Sequence, residues 1–210
     1  MIFMRKFIFT IVSFITLSAG YAQTSFGIHG DAIFAKEKIK AGGITITGDD
    51  RSSWKAGLIS NVPITHQFAF MPQLNILSKG TRLNFQGSKG ESKLTYLELP
   101  LNFVYTSNGF FAGLGPVLSY GLSGKEESDG VTTDVKFDGE ANPTDDNSHY
   151  KAFEFGGDVL AGYKLQNGLF FNAFYNWGFS SIYPSSEATV KNQYFGFGIG
   201  YFFNIPVPVK

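Results

Sequence analysis

The sequence predicts an all-β fold: an eight-stranded antiparallel up-and-down transmembrane β-barrel with short periplasmic turns and long extracellular loops. Three observations carry this. Apolar and polar side chains alternate with period two in eight separate stretches, whereas no helical period of 3.6 persists beyond a turn or two. The connections between these stretches alternate between short and long, as they do when an even number of strands crosses a bilayer and returns. Aromatic residues gather at both ends of the apolar faces, matching a membrane with two interfaces.

Composition prepares the ground. The 210 residues include 23 Phe, 10 Tyr and 25 Gly, which favour strands, tight bends and close backbone approaches. The 17 Lys+Arg balance 17 Asp+Glu with no basic run, so nothing points to nucleic acid as a partner. The lack of Cys excludes disulfides, thiolate metal sites, a lipidated N-terminal Cys and Cys nucleophiles. At the N-terminus, Arg5 and Lys6 precede an apolar run from Phe7 to Leu17 and a small-residue stretch ending at Ala22. That run falls short of the roughly 17–25 residues of a spanning helix. Residues 1–22 therefore read as a cleaved secretory signal peptide and 23–210 as the barrel domain, exported to the cell outer membrane.

The strands follow in order. At about 24–35, Phe26, Ile28, Ala32 and Phe34 oppose His29, Asp31 and Ile33. At about 53–62, Trp54, Ala56 and Leu58 oppose Lys55, Ile59 and Asn61. At about 67–78, Phe68, Phe70, Leu74 and Ile76 oppose Met71, Gln73 and Asn75. At about 94–105, Leu97, Leu99, Leu101, Phe103 and Tyr105 oppose Tyr96, Glu98 and Asn102.

The second half repeats the pattern. At about 109–123, Phe110, Leu114, Leu118 and Tyr120 oppose Phe111, Val117 and Ser119. At about 151–164, Phe153, Phe155, Val159 and Tyr163 oppose Glu154 and Asp158. In the run beginning at Leu169, Phe171, Tyr175, Trp177 and Phe179 oppose Phe170, Asn172, Phe174 and Asn176. At about 191–204, Phe195, Phe197, Ile199, Tyr201 and Phe203 oppose Tyr194, Gly196, Gly198, Gly200 and Phe202. Short turns are expected near 63–66, 106–108 and 165–168, two of them marked by Asn-Gly pairs, and long loops near 36–52, 80–92, 124–150 and 181–190.

Alternation alone does not say which face meets which solvent. The aromatics decide it. Phe34, Trp54, Tyr120, Phe153 and Trp177 stand near the long-loop end, and Phe26, Phe68, Tyr105, Tyr163, Tyr201 and Phe203 near the short-turn end. Two girdles flanking an aliphatic band put that face in lipid and the polar face in the lumen. Pro72, Pro100 and Pro116 fall inside the strands, where each is expected to need a local bulge or a water, a bulge shifting the faces beyond it by one residue.

Four segments resemble the PorT-type outer-membrane β-barrel proteins of Gram-negative bacteria. They are Phe70-Met71-Pro72-Gln73-Leu74-Asn75 with Lys79-Gly80, Tyr96-Leu97-Glu98-Leu99-Pro100-Leu101, Gly113-Leu114-Gly115-Pro116, and Gly196-Phe197-Gly198-Ile199-Gly200-Tyr201. The resemblance implies an accessory role in secretion or surface assembly, and tolerance of proline at those places. The tail Ile205–Lys210 departs from the terminal aromatic common in such barrels, leaving Tyr201 and Phe203 for the insertion machinery to recognise.

The expected lumen network is His29, Asp31, Lys55, Glu98, Glu154 and Asp158, with Asp31 close to Lys55 if the hairpin is centred on its loop. Buried charge must be paired, so a bracing network is the first reading. His29, His66 and His149 are scattered, without metal-ligand spacing, and no GxSxG or HExxH is present. No enzyme and no cofactor is expected. The acidic stretch 124–150 carries eight carboxylates against Lys125 and Lys136 and reads first as a solvated loop, with divalent cations or a basic partner as the sharper alternative. Function is expected to be structural or interactive, with outer-membrane lipid around the barrel and protein partners at the extracellular loops. The alternatives are a narrow porin-like solute channel and, further off, a lipid-acting enzyme.

Overall fold

The computed structural model describes residues 24–85, 88–141 and 144–203. The expected signal segment 1–22 and the tail from Ile205 lie outside them. Twelve strands follow in chain order: β1 (Ser25–Ala41), β2 (Ile44–Thr47), β3 (Arg51–Pro63), β4 (Phe68–Lys79), β5 (Arg82–Phe85), β6 (Ser88–Ser107), β7 (Phe110–Ser128), β8 (Val131–Lys136), β9 (Ser148–His149), β10 (Phe153–Lys164), β11 (Leu169–Gly178) and β12 (Ala188–Phe203). Eight of them, β1, β3, β4, β6, β7, β10, β11 and β12, pair in that order, and β12 closes on β1. Every pairing in the ring is antiparallel. Closure leaves no strand edge in the lipid, where an unpaired backbone group would cost several kcal/mol.

The short turns sit where the sequence puts them. Asn108 and Gly109 have φ of 51° and 87°, the left-handed pair that a two-residue hairpin turn needs. The long loops are a correction. Much of 36–52, 80–92 and 124–150 is strand: β1 turns back through Gly42 and Gly43 into β2, β5 pairs with the start of β6, and β7 turns through Asp129 and Gly130 into β8. The sequence hides this because a strand beyond the membrane meets water on one or both faces. Backbone pairing continues there, but the apolar alternation that reveals it does not.

The prolines are the second correction. Around Pro72 the β3–β4 ladder skips two positions and resumes in the same register, Ile59 opposite Gln73 and Val62 opposite Phe70. The β4–β6 ladder does the same beside Pro100, and the β6–β7 ladder beside Pro116. A proline removes one donor from one side of its strand, and the intact ladder on the other side holds the register. The register shift along these walls falls elsewhere, between Thr95 and Tyr96. The inner and outer faces therefore run through all three prolines unchanged.

The lumen is packed in three layers. Its periplasmic floor holds Phe111, Phe170 and Phe202, with ring centroids 6.2 and 4.9 Å apart in sequence of contact. Its middle is ionic. Its roof is apolar again, with Ile33, Leu77, Leu94 and Ile182 fully buried and Phe137 between Tyr96 and Tyr150. Small glycines on β12 make room for this filling: a Cβ at Gly200 would run into the Phe170 ring, and one at Gly196 would lie 2.6 Å from Phe174. Replacing Gly200 by Val should therefore destabilise the barrel by about 1–3 kcal/mol, the usual range for overpacking. Urea titration followed by heat-modifiable mobility on a gel checks it, and an unchanged midpoint would mean the floor is not packed.

Candidate functional site

Strand parity turns all six expected lumen residues inward: His29, Asp31, Lys55, Glu98, Glu154 and Asp158 are buried. They form three groups. In the first, the β1–β3 register sets Asp31 directly opposite Lys55, whose Nζ lies 3.5 Å from Asp31 Oδ2. His29, two residues along the same face, places Nδ1 2.8 Å from Asp31 Oδ2 and Nε2 2.9 Å from Asn75 Oδ1. Lys55 Nζ also sits 3.3 Å from the centroid of the Phe174 ring, a cation–π contact that replaces part of its lost water.

The second group turns on a residue outside the expected set. Lys79, 1% exposed, places Nζ 3.0 Å from Glu98 Oε2 and 3.1 Å from Glu154 Oε2, and donates to Ser119 Oγ at 3.1 Å. Tyr194 donates to Glu98 at 2.5 Å, Ser119 donates to the same carboxylate at 3.1 Å, and Asn192 donates to Glu154 at 3.1 Å. Lys79 lies one residue past the strand end expected near 78, so sequence reasoning misses it. Carrying the alternation of Gln73, Asn75 and Leu77 one step further would have found it. Asp158 makes no ion pair with either group but feels the charges of Lys55 and Glu98, and it accepts from Asn102 Nδ2 at 2.9 Å.

The girdle residues all lie on the outer wall. On the extracellular side Phe34 stacks on Phe195 at 5.0 Å, Tyr120 meets Phe153 edge-on at 4.9 Å, Trp177 lies between Tyr175 and Phe179, and Trp54 is half exposed. On the periplasmic side Phe68 meets Tyr105 at 5.6 Å, Tyr201 meets Phe203 at 5.6 Å, Phe26 pairs with Phe203, and Tyr163 pairs with Phe110 and Phe171.

Above the outer girdle the acidic segment forms a structured cap over the roof. Glu126 accepts from Tyr150 OH and Ser148 Oγ, each at 2.6 Å. His149 is held between two carboxylates, Nδ1 2.8 Å from Asp138 and Nε2 2.9 Å from Asp145, and Lys136 also pairs with Asp145. Asp138, Glu140 and His149 bring ligand atoms within 4.8 Å of one another. Both imidazole nitrogens are already engaged, so a cation would have to displace these bonds.

Charge and burial set the protonation of this cap. Hydrogen bonds donated to Asp145 and then Asp138 raise the His149 pKa above its ordinary value. In return, Asp145 is held well below the usual carboxylate range, first by His149 and then by Lys136. Glu37, buried beneath the cap and bonded by Ser92 at 2.8 Å, is pushed up to about 7 by loss of water and by the charges of Glu126 and Glu154.

Two predictions follow from this geometry. Replacing Lys79 by Met strands Glu98 and Glu154 as unpaired buried charges, a loss of about 3–5 kcal/mol. Adding Glu98→Gln and Glu154→Gln to that variant should restore much of it, read by thermal melting in detergent. The second concerns pH. His149 stabilises the cap fully below about pH 6.5 and loses that contribution as pH climbs through its raised folded value. Glu37 favours the folded cap when protonated, a contribution lost between its unfolded value near 4.5 and its folded value of about 7. Asp145 acts oppositely, its contribution vanishing only as pH falls below the ordinary carboxylate range. Amide exchange in β8 and β9, corrected for intrinsic rate, should therefore be slower at pH 5 than at pH 8, and His149→Gln should shrink the difference.

The family described as outer membrane protein beta-barrel domain matches residues 15–183. Neisserial surface protein A has a similar fold, with 13% identity, a TM-score of 0.53, and coverage of 87% of this chain and 100% of its own. Also similar are OprG of Pseudomonas aeruginosa, with 15% identity, a TM-score of 0.47 and coverage of 89% and 99%, and Ail of Yersinia pestis, with 14%, 0.45, 87% and 100%. No curated protein matches the sequence. The closed ring of eight antiparallel strands, its paired girdles and the match over most of its length place the protein in the outer membrane: the chain belongs to the outer membrane protein beta-barrel domain family.

Proposed function

We propose that this barrel works as a surface-interaction protein, anchoring extracellular hairpins for protein partners without conducting solutes or catalysing a reaction. The observation that carries the reading is the lumen, closed by an aromatic floor, an ion-paired middle and an apolar roof. A narrow barrel braced this way lacks the continuous wet path a channel needs. The hairpins supply the complementary half of the argument. Ile44 on β2 and Val131 on β8 are about two-thirds exposed, at 66% and 67%, and both lie at hairpin turns beyond the outer girdle. Exposed apolar residues on a short strand suit a protein partner better than water.

The PorT-type resemblance narrows the proposal to an accessory role in secretion or surface assembly. Membrane insertion followed by planar-bilayer recording tests the closed lumen. The purified barrel should give no steady conductance, and a reproducible ohmic step would favour the narrow-channel reading instead.

A further inference from the structure

The outer wall formed by β1 and β12 changes character sharply above the girdle. Along β1 the lipid-facing positions are Phe26, Ile28, Gly30, Ala32 and Phe34, followed by Lys36, Lys38 and Lys40 on the same face. Along β12 the same face carries Phe195 and then Gln193 and Lys191 toward the extracellular end. The register sets Lys38 directly opposite Lys191, two rows above the stacked Phe34–Phe195 pair on the same face, with Lys36 opposite Gln193 between them. Two like charges facing each other across an antiparallel ladder repel, because their Cβ atoms stand only about 4.5–5.5 Å apart. Lys36 is paired with Asp50 at 3.1 Å, whereas Lys38, Lys40 and Lys191 have no carboxylate within ion-pair distance among the described residues.

A second lysine pair, Lys93 opposite Lys125, lies on the far wall, but there Glu91 reaches Lys93 at 3.2 Å. Among the described residues, the β1–β12 patch is therefore an opposed lysine pair above the outer girdle that no carboxylate compensates. The aromatic pair below it faces acyl chains, so the anion that completes the patch is one carried on a lipid.

We propose that Lys38 and Lys191, with Lys40 beside them, form a binding site for the phosphate group of an outer-leaflet lipid. The phosphate sits between the two ammonium groups and relieves their repulsion, while the acyl chains lie against Phe34 and Phe195. The site lies at the base of the β1–β2 hairpin, where Lys38 and Lys40 pair with Thr47 and Thr45 on the side away from β12.

The test uses the full chain folded in neutral detergent with one of three probes: diphosphoryl lipid A, the same lipid dephosphorylated, or inorganic phosphate. Diphosphoryl lipid A should stay with the wild-type barrel through gel filtration and raise its melting temperature. Two surface lysines contribute about a thirtyfold gain in binding together, so K38Q/K191Q should retain about thirtyfold less. Without lipid, that variant should melt no lower than the wild type, since it has lost a repulsion; this keeps a folding defect distinguishable from a binding defect. K93Q/K125Q should bind as the wild type does. Equal retention by K38Q/K191Q, equal retention of the dephosphorylated lipid, or an equal loss in K93Q/K125Q would overturn the site. A melting shift from inorganic phosphate as large as that from the lipid would overturn its assignment to a lipid.

Discussion

Every backbone amide and carbonyl that enters the hydrocarbon must find its partner within the protein, and the closed ring of eight strands follows from that requirement. Once the ring is closed, lipid takes the outside and the apolar half of each strand must face outward. The polar half has nowhere to go but the lumen. His29, Asp31, Lys55, Glu98, Glu154 and Asp158 are buried for that reason, rather than because burial suits them. The interior then has to supply what water would have supplied. Lys79 between two carboxylates, Lys55 between Asp31 and the Phe174 face, and amides such as Asn75, Asn102 and Asn192 supply it.

Such a network gives little net stability, because desolvating each ion offsets most of its attraction. What it does give is register. A slip of one residue of β3 along β1 would leave Asp31 in the lumen but turn Lys55 out into lipid and bring Trp54 in opposite it. That cost is far larger than any single ladder bond. The same constraint adds to the intact ladders beside Pro72, Pro100 and Pro116, each of which removes a donor on one side of its strand without shifting the faces.

The legible part of the sequence is the part that meets two different solvents. Between the girdles, one face sees lipid and the other the lumen, so every strand announces itself by alternation, and the positions of His29, Asp31, Lys55, Glu98, Glu154 and Asp158 could be read by parity alone. Above the outer girdle the contrast fades. Segments such as Ile44–Thr47 and Val131–Lys136 pair as strands, yet their residues are mostly exposed on both faces, so nothing in the pattern separates them from loop. Lys79 fell at the border between the two regimes, where the reading stopped one alternation too early. The His149 clasp depended on Asp138 and Asp145 meeting across a turn, which spacing along the chain does not encode.

β1 records these regimes in a single strand. Its outward side chains change from aromatic to aliphatic to small, return to Phe34, and then become three lysines in succession. Its inward side chains pass from His29 and Asp31 in the ionic middle to Ile33 and Ala35 in the roof, and on to Glu37 beneath the cap. The two series change at different heights because they answer to different surroundings: the outer one follows the depth of the bilayer, the inner one the layering of the lumen. The alternating backbone lets both be written into one stretch of seventeen residues without conflict. The roof over the lumen therefore begins level with the outer girdle, and the charged cap above it can respond to the extracellular solution while the ion pairs below stay sealed from it.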